Sequence, residues 1–163
     1  MSTVAVATTF RLVPLPLQPF RALFDRSDEE LAAMGAARVT ATHAPGFPCR
    51  VSLEDAQPGE ELLLLTWVHH AVDSPYRASG PIYVRRHAQP AGRAPGEMPP
   101  VITRRLISVR AYDARGFMLG AEVRDGGEVR EELERLFANP AVAYVHLHNA
   151  RPGCFACAVE RSA

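Results

Sequence analysis

The chain has 163 residues, a length typical of one domain, and we expect a single domain over residues 1–163. Its 18 basic residues balance its 18 acidic residues, which argues against nucleic-acid and membrane-surface partners. Every basic residue is arginine, and the absence of lysine excludes Schiff-base, pyridoxal phosphate and P-loop lysine chemistry.

The cysteine content and the hydropathy pattern indicate a cellular location. Three cysteines are an odd number without the spacing of a disulfide framework, which favours reduced thiols. Residues 1–16 lack the charged and apolar regions of a signal peptide. No run reaches the roughly 18 apolar residues of a membrane span. We therefore expect a cytoplasmic protein.

The N-terminal part of the chain predicts two strands and a short helix. Residues 4–12 are rich in β-branched and aromatic residues, which indicates a strand, and residues 19–24 predict a helical turn. Ser27 to Glu30 have the pattern of a capping box, and Gly35 stands where a helix ends, so we expect a helix between them. A second strand is predicted over residues 38–42.

The middle of the chain alternates between apolar runs and proline-rich loops. Residues 61–69 are apolar without polar alternation, which predicts a strand covered on both faces at the centre of the sheet. Residues 81–86 predict the next strand. The prolines and glycines of residues 43–50, 73–80 and 89–100 predict loops.

The C-terminal part predicts a hairpin, a helix and a closing hairpin. Residues 106–112 and 117–124 are strands around a turn, and residues 128–138 form an amphipathic helix. All elements together predict the α+β class, with a largely antiparallel mixed sheet of about seven or eight strands and two or three helices.

The closing hairpin has the most informative register, because it carries two histidines and a cysteine. If residues 149–153 form its loop, His148 pairs with Cys154, and His146 pairs with Ala156. Tyr144 then pairs with Ala158.

Directly opposed residues share one side of a sheet. We therefore predict that Cys154 shares a face with His146 and His148. The other face is apolar and should be buried in the core; it carries Val145, Leu147, Phe155, Cys157 and Val159. Cys154 and Cys157 would lie on opposite faces and could not clamp one metal ion together.

Three segments carry a resemblance to a known family. They are Pro-Gly-Phe-Pro-Cys-Arg at residues 45–50, Ser-Pro-Tyr-Arg-Ala-Ser-Gly-Pro at residues 74–81, and Val-His-Leu-His-Asn-Ala-Arg-Pro-Gly-Cys-Phe at residues 145–155. From about Phe10 to Arg161 the chain resembles a bacterial family catalogued only as a domain of unknown function (family 1203). The resemblance implies no activity, ligand or cofactor.

The favoured hypothesis is a pocket for a small anionic or polar molecule. The loops that carry Arg50 and Arg77 would converge on the histidine end of the closing hairpin, because guanidinium groups match carboxylate and phosphate geometry. Each arginine could instead satisfy loop carbonyls or pair with a nearby acid. The predicted ligand-binding residues are Arg50, Tyr76, Arg77, His146, His148 and Asn149. If the site is catalytic, His148 is the candidate general base.

A zinc enzyme using His146, His148 and Cys154, joined by His69 or His70, is one alternative, because imidazole and thiolate suit zinc. We nevertheless expect no bound metal, since the segment has no carboxylate and no spacing forces the ligands together. His69 and His70 are adjacent on a strand and would face opposite ways.

Two further alternatives remain open at this point. A thiol enzyme would use Cys49 or Cys154, each close in sequence to an arginine, with a histidine as base. A protein-interaction module without catalysis would use sheet edges or the loop at residues 89–100, with a homodimer among its partners. Whether the protein is an enzyme stays open, and no cofactor is expected.

Overall fold

Two antiparallel sheets organise the protein in a computed structural model, which describes residues 10–162. The strands are β1 (Phe10–Val13), β2 (Ala37–Thr40), β3 (Glu61–His70), β4 (Ala78–Arg85), β5 (Leu106–Tyr112), β6 (Met118–Asp125), β7 (Tyr144–Asn149) and β8 (Phe155–Arg161). The larger sheet has the order β1-β8-β7-β5-β6, and the smaller has the order β2-β3-β4.

Four α-helices accompany the strands in the described part of the chain. They are α1 (Gln18–Arg21), α2 (Asp28–Ala33), α3 (Pro100–Thr103) and α4 (Val129–Phe137), with 3₁₀ turns at Ala22–Asp25 and Gly126–Glu128. The predicted α+β class, strand number and antiparallel pairing are confirmed. The strands divide between two sheets instead of forming one, and the single turn of α3 adds a helix to the predicted number.

Local sequence signals account for the first elements. The side chain of Ser27 accepts a hydrogen bond from the Glu30 backbone N–H at 3.1 Å, and the Glu30 carboxylate accepts one from the Ser27 N–H at 3.3 Å. This is the predicted capping box, and Gly35 follows α2 with a φ of 71°. β1 begins at Phe10, so residues 4–9 of the predicted first strand lie outside the described residues.

Each sheet has its own apolar core. α4 packs Val129, Leu133 and Phe137 against the buried face of the five-stranded sheet. On the three-stranded sheet, Phe20 and Leu31 from the N-terminal helices pack into a second cluster with the strand residues. β3 is the central strand of the smaller sheet, in agreement with its apolar sequence.

The described residues contain no helix that is both long enough and apolar enough to span a membrane.

The closing hairpin differs from its predicted register. The Asn149 N–H donates to the Cys154 carbonyl at 2.9 Å, so the closing pair lies one residue further along than expected. His148 is therefore opposite Phe155, and a bulge between Leu147 and His148 then places His146 opposite Ala158.

This shift changes the predicted faces of Phe155 and Cys154. Val145, Leu147, Cys157 and Val159 are buried in the larger core, as predicted. The prediction for Phe155 was wrong, because it shares a side with the opposed His148 and its ring stacks on His69 at a centroid distance of 4.9 Å. Cys157 lies in the core and Cys154 lies beside Arg50. Cys154 is opposite Asn149 and not His148, so the prediction that it shares a face with His146 and His148 was wrong.

Candidate functional site

A cavity of about 810 Å³ lies between the two sheets. Its walls come from the loop that contains Arg50, from β3 and β4, from the junction of α3 and β5, and from the β7–β8 loop. We call it the arginine cavity, because four of its lining side chains are Arg50, Arg104, Arg105 and Arg151. Its volume falls within the range of roughly 300 to 1,000 Å³ that small-molecule sites occupy.

Arg50 is the most buried of these arginines, with 2% of its surface exposed. Its Nε donates to the Phe155 carbonyl at 2.7 Å, its Nη1 donates to the Pro48 carbonyl, and its Nη2 donates to Cys154 Sγ at 3.1 Å. None of these partners is a carboxylate. Burial lowers the pKa of Arg50 from its usual value, which shows the cost of holding this charge away from water.

The other three arginines differ in how they are paired. Arg105 forms a two-pronged ion pair with the buried carboxylate of Asp55, so its charge is neutralised. Arg104 and Arg151 are exposed, and among the described residues neither side chain has a hydrogen bond or ion pair. The cavity lining includes one acidic residue, Asp125. The cavity therefore has an excess of positive charge.

Asn149 and Cys154 face each other across the hairpin loop at one end of the cavity. Asn149 is buried, and its Nδ2 donates to Cys154 Sγ at 3.6 Å. Asn149 Oδ1 is also buried but has no hydrogen-bond partner among the described residues. A buried amide oxygen without a donor is costly, and a bound molecule with a hydroxyl or N–H group would satisfy it.

A close backbone approach shapes the wall near α3. Gly126 follows β6, and a Cβ atom there would lie 2.1 Å from the Ile102 carbonyl oxygen. Only glycine allows this contact. It holds the end of β6 against α3, next to Arg104 and Arg105 on the cavity wall.

Four histidines form a second polar group between the sheets, which we call the histidine cluster: His69, His70, His146 and His148. The His146 ring lies 6.2 Å from His69, 4.9 Å from His70 and 6.5 Å from His148, between centroids. A bulge in β3 between Trp67 and His70 brings both adjacent histidines to His146. The expectation that they face opposite ways was therefore wrong.

The hydrogen bonds of the cluster define its tautomers. His70 Nδ1 lies 2.7 Å from the Tyr76 carbonyl, so it donates, and its Nε2 accepts from the Tyr144 hydroxyl at 2.6 Å. His148 Nδ1 donates to the Gly153 carbonyl at 3.1 Å in the same way. His148 Nε2 and His146 Nδ1 are buried without partners among the described residues.

Burial lowers the pKa of three of these imidazoles. It lowers the pKa of His146 to about 3, with further lowering by the neighbouring histidines and Arg110. Burial also lowers the pKa of His148 to about 4, although the hydrogen bond to Gly153 opposes the shift. The pKa of His69 is lowered for the same first reason. His69, His146 and His148 are therefore neutral at neutral pH.

The predicted ligand-binding residues divide between these places. Arg50 and Asn149 line the arginine cavity, whereas His146 and His148 belong to the histidine cluster and are outside the cavity lining. Tyr76 packs its ring against Tyr112 and Phe117, and the neighbouring Arg77 is exposed. Tyr76 and Arg77 are likewise absent from the lining.

The proposed zinc ligands are also separated. Cys154 contacts Arg50 and Asn149, whereas His146 and His148 contact other histidines and Phe155. Within residues 10–162, no group of three or more His, Cys, Asp or Glu side chains is arranged to hold a metal ion.

Sequence reasoning did not select Arg104, Arg105 and Tyr83, which line the cavity. An arginine pair directly before a strand was a visible signal, but nothing in the sequence indicated that β5 begins opposite the Arg50 loop. Arg151 lies within the turn of the closing hairpin and was noted only as a neighbour of Cys154.

A comparison with known protein families identifies the family of this chain. The sequence pattern of a family described as protein of unknown function (DUF1203) matches residues 46–161, which is most of the chain. The chain belongs to this family. The match confirms the resemblance inferred from the three segments. It includes every residue that lines the arginine cavity except Pro45, which precedes the matched region. No curated protein and no solved structure matches the chain.

Proposed function

We propose that the protein binds a small anionic molecule, a carboxylate or a phosphate compound, in the arginine cavity. The observation that carries the proposal is the convergence of Arg50, Arg104, Arg105 and Arg151 on one cavity whose lining includes one aspartate. Guanidinium groups donate in pairs to carboxylate and phosphate oxygens, and they do so most strongly where water is excluded.

The charges that remain unpaired favour an anion over a neutral molecule. Arg105 is neutralised by Asp55, but the described residues offer no acid to Arg50, Arg104 or Arg151. A cleft lined by one sign of charge concentrates ions of the opposite sign. A bound anion would accept hydrogen bonds from the Nη groups of Arg50 and from the exposed guanidinium groups of Arg104 and Arg151.

The rest of the lining supports a molecule with polar and apolar parts. Asn149 Oδ1 is available as an acceptor for a hydroxyl or N–H group of the ligand. Tyr83, Leu64 and Pro81 supply an apolar wall on the opposite sheet. A few placed polar groups on an apolar wall are typical of metabolite sites. The cytoplasmic location stays a prediction from the cysteine content.

Thermal unfolding with defined anions tests the proposal. The probes are inorganic phosphate and citrate, compared with chloride at equal ionic strength. At a hundredfold excess over the dissociation constant, a bound anion stabilises the folded state by about 2.7 kcal/mol. For a chain of this length, that is a rise in Tm of about 5 to 10 °C.

A matched pair of double variants locates the binding. Arg104→Gln with Arg151→Gln removes the two exposed cavity charges that have no acidic partner among the described residues, and we expect it to abolish most of the anion effect. Arg77→Gln with Arg130→Gln makes the same change in net charge at two exposed arginines outside the cavity, and it should bind as the wild type does. If the Arg77→Gln, Arg130→Gln variant lost anion binding, the binding site would instead include Arg77 in the loop before β4. No stabilisation by either anion would favour the protein-interaction module.

A further inference from the structure

Cys154 is the accessible thiol of the protein. Cys49 and Cys157 are each 1% exposed and lie in the apolar cores, whereas Cys154 is half-buried and lines the arginine cavity. Burial raises the pKa of Cys157 to about 12, so that thiol stays protonated and unreactive. The three cysteines therefore provide one candidate for chemistry and two internal controls.

The contacts of Cys154 place a fixed positive charge beside its sulfur. A guanidinium can only donate, so Sγ is the acceptor of the Arg50 Nη2 hydrogen bond at 3.1 Å. The other partners of Arg50 are the neutral carbonyls of Pro48 and Phe155, which leaves Sγ as its one partner able to carry negative charge. A cation next to a cysteine sulfur stabilises the negative charge of the nucleophilic form, which is the usual setting of a reactive cysteine.

Asn149 adds a second, independent sign of a bound molecule beside the sulfur. Asn149 lines the same cavity and its Nδ2 points at Sγ, while its Oδ1 is buried and has no partner among the described residues. The side chain is 4% exposed, so bulk water does not satisfy this oxygen. A ligand with a donor group seated next to Sγ would satisfy it.

We propose that Cys154 is a nucleophile and that its substrates are small electrophiles with an anionic group, held by the cavity arginines. This inference rests on the proposed anion binding. In the reaction, a lone pair of the thiolate forms a bond to the electrophilic carbon of the substrate. The bond from that carbon to its leaving group breaks, and the leaving group departs with the electron pair. The product is a thioether at Cys154, and no proton has to be removed in this step.

Among the described residues, no histidine lines the cavity beside Cys154. His148, the base expected from the sequence, uses Nδ1 to bind the Gly153 carbonyl, and its Nε2 is buried in the histidine cluster. His148 does not line the cavity that contains Cys154. Arg50 performs the activation instead, as a fixed positive charge next to the sulfur.

Alkylation with two matched reagents tests this proposal. Iodoacetate and iodoacetamide differ in charge and transfer nearly the same group to sulfur, and peptide mass mapping assigns each label to one cysteine. At pH 7 an ordinary thiol is only a few per cent ionised, so we expect Cys154 in the folded protein to react with iodoacetamide about tenfold faster than in urea. The ratio of iodoacetate to iodoacetamide rates should also rise about tenfold on folding.

Two variants and phosphate as a competing anion test which residues are responsible for the labelling. Cys154→Ser should remove all rapid labelling, with Cys49 and Cys157 unlabelled until urea is added. Arg104→Gln with Arg151→Gln should lower the ratio of the iodoacetate rate to the iodoacetamide rate. Saturating phosphate should slow both reagents.

The outcomes separate this inference from the binding proposal. Stabilisation by phosphate with a Cys154 rate no greater than in urea would overturn the nucleophile and leave anion binding intact. Rapid labelling without an iodoacetate preference would overturn the anionic substrate class. Rapid, charge-selective labelling that phosphate slows supports the inference.

Discussion

Acidification should destabilise this protein through its histidine cluster well before its carboxylates protonate. His146 and His148 are 5% and 2% exposed, and burial lowers their pKa values to about 3 and about 4, from about 6.5 in an unfolded chain. Below pH 6.5 the unfolded state therefore binds protons that the folded state does not. The contribution of these neutral histidines to the free energy of unfolding is fully present above pH 7, and it is lost progressively as the pH falls below 6.5.

The size of the loss follows from the proton linkage. At pH 5 each histidine is about 1.5 pH units below its unfolded pKa, which corresponds to about 2 kcal/mol per residue. The two residues together give about 4 kcal/mol, and the lowered pKa of His69 acts in the same direction. A domain is stable by only 5 to 15 kcal/mol in general, so the expected loss is a large part of the total.

Urea unfolding followed by circular dichroism at pH 7.5, 6 and 5 measures this loss. The double variant His146→Gln with His148→Asn should lose about 4 kcal/mol less than the wild type between pH 7.5 and 5, whatever its stability at pH 7.5. The exposed His87→Gln is the control and should follow the wild type. Carboxylates with lowered pKa values, such as Glu61, titrate below this window. Equal losses in the double variant and the wild type would refute the assignment.

Three other perturbations test the architecture around the cavity. Gly126→Ala should lower the free energy of unfolding by about 1 to 3 kcal/mol, because its Cβ would clash with the Ile102 carbonyl oxygen. Gly127→Ala is the control and should cost less, because its Cβ would meet open space. Equal effects of the two variants in urea unfolding would contradict this prediction. Asp55→Asn should cost about 3 kcal/mol in the same assay by leaving Arg105 unpaired, and a loss under 1 kcal/mol would show that this ion pair is dispensable. Elemental analysis of purified protein should find less than stoichiometric zinc, and one zinc per chain would revive the metal hypothesis.

The elements that local signals determine were predictable. The capping box before α2, the hairpin of β5 and β6, and the amphipathic α4 all lie within a few residues of their predicted bounds. Each depends on residues close together in sequence, such as a turn, a cap or one apolar stripe. No contact between distant parts of the chain is needed to specify them.

The candidate site was less predictable because bulges and sheet packing decide it. A bulge changes which face each side chain occupies, and Phe155 is apolar enough to be buried on either face. The same is true of His69 and His70, which a bulge in β3 brings to one side. The placement of Arg104 opposite Arg50 depends on how two sheets pack, and alternation along one strand carries no information about it.

Phe155 links the arginine cavity to the histidine cluster. Its carbonyl accepts the Nε hydrogen bond of Arg50 at 2.7 Å, while its ring stacks on His69 with an interplanar angle of 10°. The backbone of Phe155 therefore fixes the guanidinium of Arg50 in the cavity wall, and its side chain fills the space between the buried imidazoles. Both arrangements depend on the hairpin register that pairs Phe155 with His148 and keeps its side chain out of the apolar core. A backbone irregularity next to polar groups is a common way for a fold to re-aim side chains at a site, and here the bulged hairpin lies between the open arginine cavity and the closely packed histidine cluster.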